Sequence, residues 1–287
     1  MNILRGYKAV ITAGGIGVRL LPFSKEIPKE MAPLIFRNLD NTTEVKPIVQ
    51  AVYDQLFISG IKDFYIVVGK GKRAIQDHFN IDAGFLELLR NRGKTVKALS
   101  EFYDRLRASN IVFVNQPEAL GFGDAVARVR PYLKGDFLVH AGDTYIASHN
   151  NNHLSRMRDT KSRYGADAVL LLLKLRDPRM YGVVHGEEIE KDIIRVEDAV
   201  EKPETATSKD AIMPVYLFND DIFEALANVK PGKGGEIQLT DGIKNLIDDG
   251  REVLGVRLTK DDLMLDIGTP ETLIAALRLS RRYFGLK

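Results

Sequence analysis

Cysteine is absent from all 287 residues. Disulfides, thiolate metal centres and a cysteine nucleophile are thereby excluded, which suits a reducing compartment. An excess of one charge is missing too. The 41 basic and 39 acidic side chains leave a formal +2, so no global field draws the chain to nucleic acid. Any anion site has to be built locally. Long hydrophobic runs are also lacking; Ala168 to Leu173 is the longest, strand-sized and well below the ~18 residues of a membrane span. The N-terminus, MNILRGYKAV, has neither the basic start nor the apolar core of a secretion signal. The reading is a soluble, cytoplasmic protein with no membrane or nucleic-acid partner.

Hydrophobic residues make up 45% and charged residues 28%, ordinary for a globular protein and enough for one large α/β domain. Nearly all-apolar runs at Lys8–Ala13, Phe64–Val68, Ile111–Val114, Phe137–Ala141 and Ala168–Leu173 read as strands buried on both faces of a parallel sheet. Helical patterns fall between them. Val45, Ile48, Val49, Val52 and Leu56 recur at helical spacing, and Gly123–Tyr132 and Asp220–Val229 are shorter candidates. The alternation predicts an α/β fold: an open, twisted, mostly parallel Rossmann-like sheet with helices on both faces. Residues 84–110 read as a helical pair inserted between two strands, and Phe36–Lys46 as a polar surface loop. With no repeats and no clear linker, residues 1–287 read as a single domain.

The most informative stretch is AVITAGGIGVRLLPFSKEIPKEMAPL, residues 9–34. In open parallel sheets, ligands settle at the carboxyl ends of strands. Gly14, Gly15 and Gly17 follow such a strand and let backbone N–H groups approach a polyanion without Cβ obstruction. The dinucleotide fingerprint G-x-G-x-x-G fails for want of its third glycine, and no P-loop string exists. A nucleoside triphosphate loop with Arg19 and Lys29 as countercharge remains. Lys29 follows Pro28, whose fixed backbone holds it in place; Lys25 reads as a solvated charge.

AGGIGVRLLP followed by EIPKEMAPL resembles the signature of sugar nucleotidyltransferases, most closely the bacterial UTP–glucose-1-phosphate uridylyltransferases. The resemblance continues through KPIVQAVYDQLFISGIKDFYIVVGKGKRAIQDHF, QPEALGFGDAV, AGDTYI, YGVV, VEKP, GGEIQLTDGI and LDIGTPETL, in the family's order and over nearly the whole chain. It implies that UTP and glucose 1-phosphate become UDP-glucose and pyrophosphate by in-line attack on the α-phosphorus. The nucleophile is a substrate phosphate oxygen, already ionised at neutral pH, so no general base is required. The obstacle is repulsion between two polyanions, met by positioned positive charge.

By the same resemblance, Ala13, Gly14 and Gly15 seat the nucleotide. Arg19 and Lys29 act on the β/γ phosphates and the transferring phosphoryl group. Gln116 and Gly121 match the base-recognition segment; a glutamine amide offers both a donor and an acceptor to a pyrimidine edge. Gly182, Glu201 and Lys202 match the sugar-phosphate side. Asp143 and Asp266, which end short apolar runs, match the family's metal aspartates and would ligate Mg²⁺, a hard ion that needs only one or two carboxylates when phosphates supply the rest. The segment GGEIQLTDGIKNLI opens a helix and is assigned no chemistry. His149 and His153 stand at i, i+4 spacing, yet HNNNH reads as polar surface sequence.

Several positions depart from the family pattern: Val18 stands where threonine is usual, HAGD replaces LPD, and Pro214 takes a place often held by glycine. Phe36–Lys46 is longer than the family's connection. Thymidylyltransferase or dual activity is the near alternative, and a non-catalytic sugar-nucleotide sensor the alternative of another class. Leu273, Ile274 and Leu277 in the C-terminal helix, with the family's oligomers, imply a homo-oligomer, dimer or tetramer.

Overall fold

Val10 and Ile11 are adjacent and both fully buried, on opposite faces of their strand. A strand that buries both faces must be covered by a layer on each side, and the computed structural model shows those layers. It describes residues 2–37, 42–205, 207–232 and 235–286.

In chain order the elements are β1 (Lys8–Ala13), β2 (Pro33–Arg37), β3 (Thr43–Pro47), α1 (Ile48–Ile58), β4 (Asp63–Val68), α2 (Arg73–His78), α3 (Ala83–Asn91), α4 (Lys97–Arg107) and β5 (Asn110–Asn115). They continue as α5 (Phe122–Ala127), β6 (Phe137–Ala141), β7 (Thr144–Ala147), α6 (Asn152–Tyr164), β8 (Ala168–Lys174), β9 (Gly182–Glu190), β10 (Ile193–Glu201) and β11 (Asp210–Phe218). The chain closes with α7 (Asp221–Ala227), α8 (Leu239–Asp248), β12 (Val253–Arg257), β13 (Leu263–Asp266) and α9 (Pro270–Tyr283).

The main sheet has nine strands in the order β5-β4-β1-β6-β11-β8-β12-β10-β9. It is mixed, which corrects the mostly parallel sheet expected from the sequence. β5, β4, β1 and β6 are mutually parallel, and β8 is parallel to β12. β11 runs antiparallel to both β6 and β8, and β10 antiparallel to both β12 and β9. The cause is connection length. Only Lys191 and Asp192 join β9 to β10, with Asp192 in the left-handed region (φ 62°), and a parallel return would need a crossover of a dozen or more residues.

On one face α1, α4 and α6 pack through Val52, Phe102 and Met157 against Ile11 and Ile66. On the other, α5, α7 and α8 pack through Val126, Ile222 and Ile243 against Val10 and Val67. A third cluster joins β2, α1, β13 and α9 through Leu34, Ile48, Leu265 and Ala276. Full burial of each such Val, Leu, Ile, Phe or Met side chain contributes about 1.5–3 kcal/mol.

Three local expectations change. Val45 belongs to β3, not to the helix, which starts after Pro47. Phe36–Lys46 is not an irregular loop; it contributes to a β2–β3 hairpin in which Ile35 opposes Val45, and residues 38–41 lie outside the described residues. His153 is not on a polar surface: α6 begins at Asn152 and turns this imidazole fully inward, where burial depresses its pKa to about 3. Residues 84–110 hold most of α3 and all of α4, between α2 and β5.

Candidate active site

β1 delivers the glycine loop to the carboxyl end of the sheet. Ala13 is buried beneath it, and the backbone at Gly14 is bare for a packing reason. A Cβ there would stand 1.9 Å from Gln116 Oε1, closer than any side chain could tolerate. Gly17 lies in the left-handed region (φ 75°), and its carbonyl accepts from Ser24 Oγ at 2.6 Å, which pins the return of the loop. The chain then makes a short 3-10 turn at Lys29–Met31, bringing the Lys29 ammonium to 3.8 Å from where a Cβ on Gly15 would be.

The second carboxylate comes from far along the chain. β7 and β13 pair antiparallel with Thr144 opposite Asp266, and Ile267 N–H donates to the Asp143 carbonyl at 3.3 Å. This two-stranded ribbon sets Asp143 and Asp266 side by side. Gly268, just beyond, leaves room for Arg19, whose Nη2 is 3.5 Å from the position of an added Cβ.

A cavity of about 540 Å³ opens here, within the usual range for a small-molecule site. Its lining includes Gly14, Gly15, Gln116 and Gly121, the cations Arg19 and Lys29, the carboxylates Asp143 and Asp266, and Gly182, Glu201 and Lys202. Of the residues assigned to the site from the sequence, Ala13 alone is not in the lining; it is buried at the end of β1, directly before the lining residue Gly14. Lys25 is exposed beside Glu26.

The electrostatics form an alternating chain. Lys29 Nζ donates to Asp143 Oδ2. Burial alone would lower the Lys29 ammonium, but the Asp143, Glu30 and Asp266 charges outweigh it and hold its pKa above the usual value. Burial likewise works to raise the Asp143 carboxyl, and Lys29 holds it below the usual range. Asp266 is raised by burial and by the neighbouring Asp143 charge. Behind Lys29, Lys72 Nζ donates to Glu30 Oε2 at 2.7 Å, with side chains only 6% and 2% exposed.

Asp143 and Asp266 are the pair that could hold a divalent ion. Two neighbouring carboxylates repel unless a cation lies near them; the Asp266 carboxyl is raised first by its burial and then by the Asp143 charge. Among the described residues, no group of three or more acidic or histidine side chains could hold a metal. The pair alone offers two carboxylates, so a divalent ion held there would take its remaining ligands from outside these two side chains.

Elsewhere in the lining, Glu201 Oε2 accepts from Thr240 Oγ1 at 2.7 Å, and Lys202 Nζ lies 3.0 Å from Glu201 Oε1. Gly182 packs tightly there, since a Cβ would fall 2.7 Å from Thr240 Oγ1. Thr240, Gln238 and Glu236 line the cavity, so the GGEIQLTDGI segment, assigned no chemistry from the sequence, supplies polar side chains to its wall. The string itself held the signal: polar residues packed immediately before a helix at a strand-end site. Pro214 also lines the cavity, where the β11–β8 register slips between Met213 and Tyr216. A residue without an N–H is accommodated in a central strand by such a bulge.

The pattern of the family described as nucleotidyl transferase matches residues 8–282. The chain belongs to this family. A putative UTP–glucose-1-phosphate uridylyltransferase of Methanocaldococcus jannaschii is 37% identical over 257 residues, which cover 88% of this chain and 85% of that protein. A UTP–glucose-1-phosphate uridylyltransferase of Pseudomonas aeruginosa is 32% identical over 248 residues, 85% of each chain. Among solved structures, a UDP-glucose pyrophosphorylase complexed with UDP-glucose superposes with a TM-score of 0.82 at 27% identity, covering 96% of this chain and 98% of the other. The mixed sheet is thus the nucleotidyl transferase fold, and the glycine loop lies in its strand-end cavity. No helix among the described residues is long and apolar enough to cross a membrane.

Proposed function

We propose that this protein is a UTP–glucose-1-phosphate uridylyltransferase, joining UTP to glucose 1-phosphate and releasing pyrophosphate. One observation carries the reading: two cations, two carboxylates, the amide of Gln116 beside a bare glycine loop, and the Glu201–Lys202 pair all line a single cavity. The names of its relatives supply the substrates.

The bare loop at Gly14 and Gly15 would seat the nucleotide, with Gln116 and Gly121 at the base. Arg19 and Lys29 would meet the triphosphate and compensate charge as the α-phosphorus is attacked. Asp143 and Asp266 would hold Mg²⁺, which when bound supplies further positive charge at the phosphates. Glu201, held by Thr240, would accept from sugar hydroxyls, while Lys202 pairs the sugar phosphate. Gly182 keeps that floor low enough for the ring. The protein's part is to hold two polyanions in line against their repulsion. We place it in the cytoplasm as a homo-oligomer.

The test is a screen of nucleoside triphosphates against sugar 1-phosphates with Mg²⁺, scored by released pyrophosphate. UTP with glucose 1-phosphate should give the highest kcat/KM. No release from any pair would leave a sugar-nucleotide sensor as the better description.

A further inference from the structure

Gln116 was singled out for the base, but a glutamine amide can present either of two faces, and its surroundings decide which. Its Nε2 donates to the Gly121 carbonyl at 3.1 Å and to Asp124 Oδ2 at 2.8 Å. Both neighbours accept and neither donates. The reversed amide would set an oxygen against two oxygens, so one orientation alone satisfies the network. The amide oxygen is left against Gly14, in the cavity lining.

Asp124 is itself held. Arg128, one turn later, donates to Asp124 Oδ1 from Nε at 3.1 Å and from Nη2 at 2.9 Å. Asp124 is buried, which leaves its other oxygen for the glutamine. The Gly121 carbonyl is fixed as well: Gly121 lies at φ 102°, with Ile237 O only 2.6 Å from where a Cβ would stand.

We propose that Asp124, backed by Arg128, is a positioning residue that locks Gln116 as a hydrogen-bond acceptor and thereby selects nucleobases carrying an imide N–H. Uracil and thymine offer N3–H as a donor. Cytosine has a lone pair at N3, which would face the amide oxygen and repel it. A polar group left unpaired in a buried site costs about 10- to 100-fold in binding. The lock deepens the proposed function, on which it rests, by naming what excludes cytidine nucleotides.

The experiment measures binding of UDP and of CDP by titration calorimetry, with pyrophosphate release from UTP and CTP in parallel. Wild type should favour UDP by about 10- to 100-fold. In Asp124→Asn, Arg128 takes the amide oxygen and the amide N–H₂ turns toward Gln116. The glutamine then faces a donor at position 124 while the Gly121 carbonyl still accepts from its Nε2, so neither amide orientation satisfies both neighbours and both become populated. UDP should weaken, CDP should strengthen, and the preference should collapse to within a few-fold, with KM changing more than kcat. Arg128→Gln, altering a partly exposed side chain outside the cavity, should give a smaller shift in the same direction and serves if Asp124→Asn does not fold. A folded Asp124→Asn that keeps the wild-type preference, or a wild type that binds UDP and CDP alike, overturns the lock. Pyrophosphate release judges the enzyme reading separately, because the binding preference is read without turnover.

Discussion

Replacing Lys72 with methionine removes one partner of an ion pair sealed behind the cavity. At 2.7 Å the gross attraction is about 6 kcal/mol with an effective dielectric of about 20. Much of that offsets the cost of having taken both charges out of water. Removing one partner leaves the other charge buried, which costs about 3–5 kcal/mol, or about 6–10 °C in Tm for a chain of this size. The sign with pH follows from Glu30. Burial, the largest influence, already raises its carboxyl despite Lys72, and Asp143 adds to the rise. The folded state therefore holds this proton more tightly than the unfolded chain does, and stability falls as pH rises from the unfolded carboxyl value through the folded one. Without Lys72 the folded value climbs further and the window extends upward. Thermal melts of Lys72→Met should thus show a small loss at pH 5 and the full loss near pH 8. Adding Glu30→Gln should restore most of the stability and remove the pH dependence. A loss under about 1 kcal/mol, the same at every pH, would refute the claim that this pair is desolvated.

Lys29→Met should lower kcat about 10²- to 10³-fold, with far-ultraviolet circular dichroism unchanged; turnover within threefold of wild type would take Lys29 out of the chemistry. Asp143→Asn should abolish Mg²⁺-dependent pyrophosphate release while the protein still melts cooperatively, and near-normal activity would remove Asp143 from the site. Thymine differs from uracil by one methyl, worth about 0.8 kcal/mol of burial, so kcat/KM for dTTP should lie within about tenfold of UTP; complete rejection of dTTP would show a pocket closed against that methyl. Light scattering at micromolar concentration should give a multiple of the 32.1 kDa chain mass, with Ile274 and Leu279, exposed on α9, available for contact; a monomeric mass contradicts it.

β1, β4, β6 and β8 were legible because both their faces are apolar; β5 was legible as a strand but is the edge of the sheet and leaves Val112 exposed, so it is not buried on both faces as expected. The antiparallel members were not legible. β9 and β10 carry exposed charges such as Glu187 and Arg195, which dilute the pattern, and Pro214 argues locally against the central strand it occupies. At the site, the glycines and cations could be placed because strand-end loops have a known geometry. That Asp143 meets Asp266 depends on β7 pairing with β13, a register no local spacing encodes. Asp124 was hidden in plain view within GFGDAV: its function lies in what it does to Gln116, and only the fold puts the two together.

β11 has a consequence for how substrates enter. It is zipped to β6 from Val215–His140 to Phe218–Phe137 and to β8 on its other edge. The half of the sheet that carries the glycine loop and the half that carries Gly182 and Glu201 are therefore joined through β11 in one sheet. No clamshell can open along that seam without unzipping a central ladder. Admission and exit fall to the rim, where Ile16, Val18 and Met180 stand open to water, so turnover should be sensitive to solvent viscosity and to crosslinks across that rim but indifferent to stiffening of the sheet.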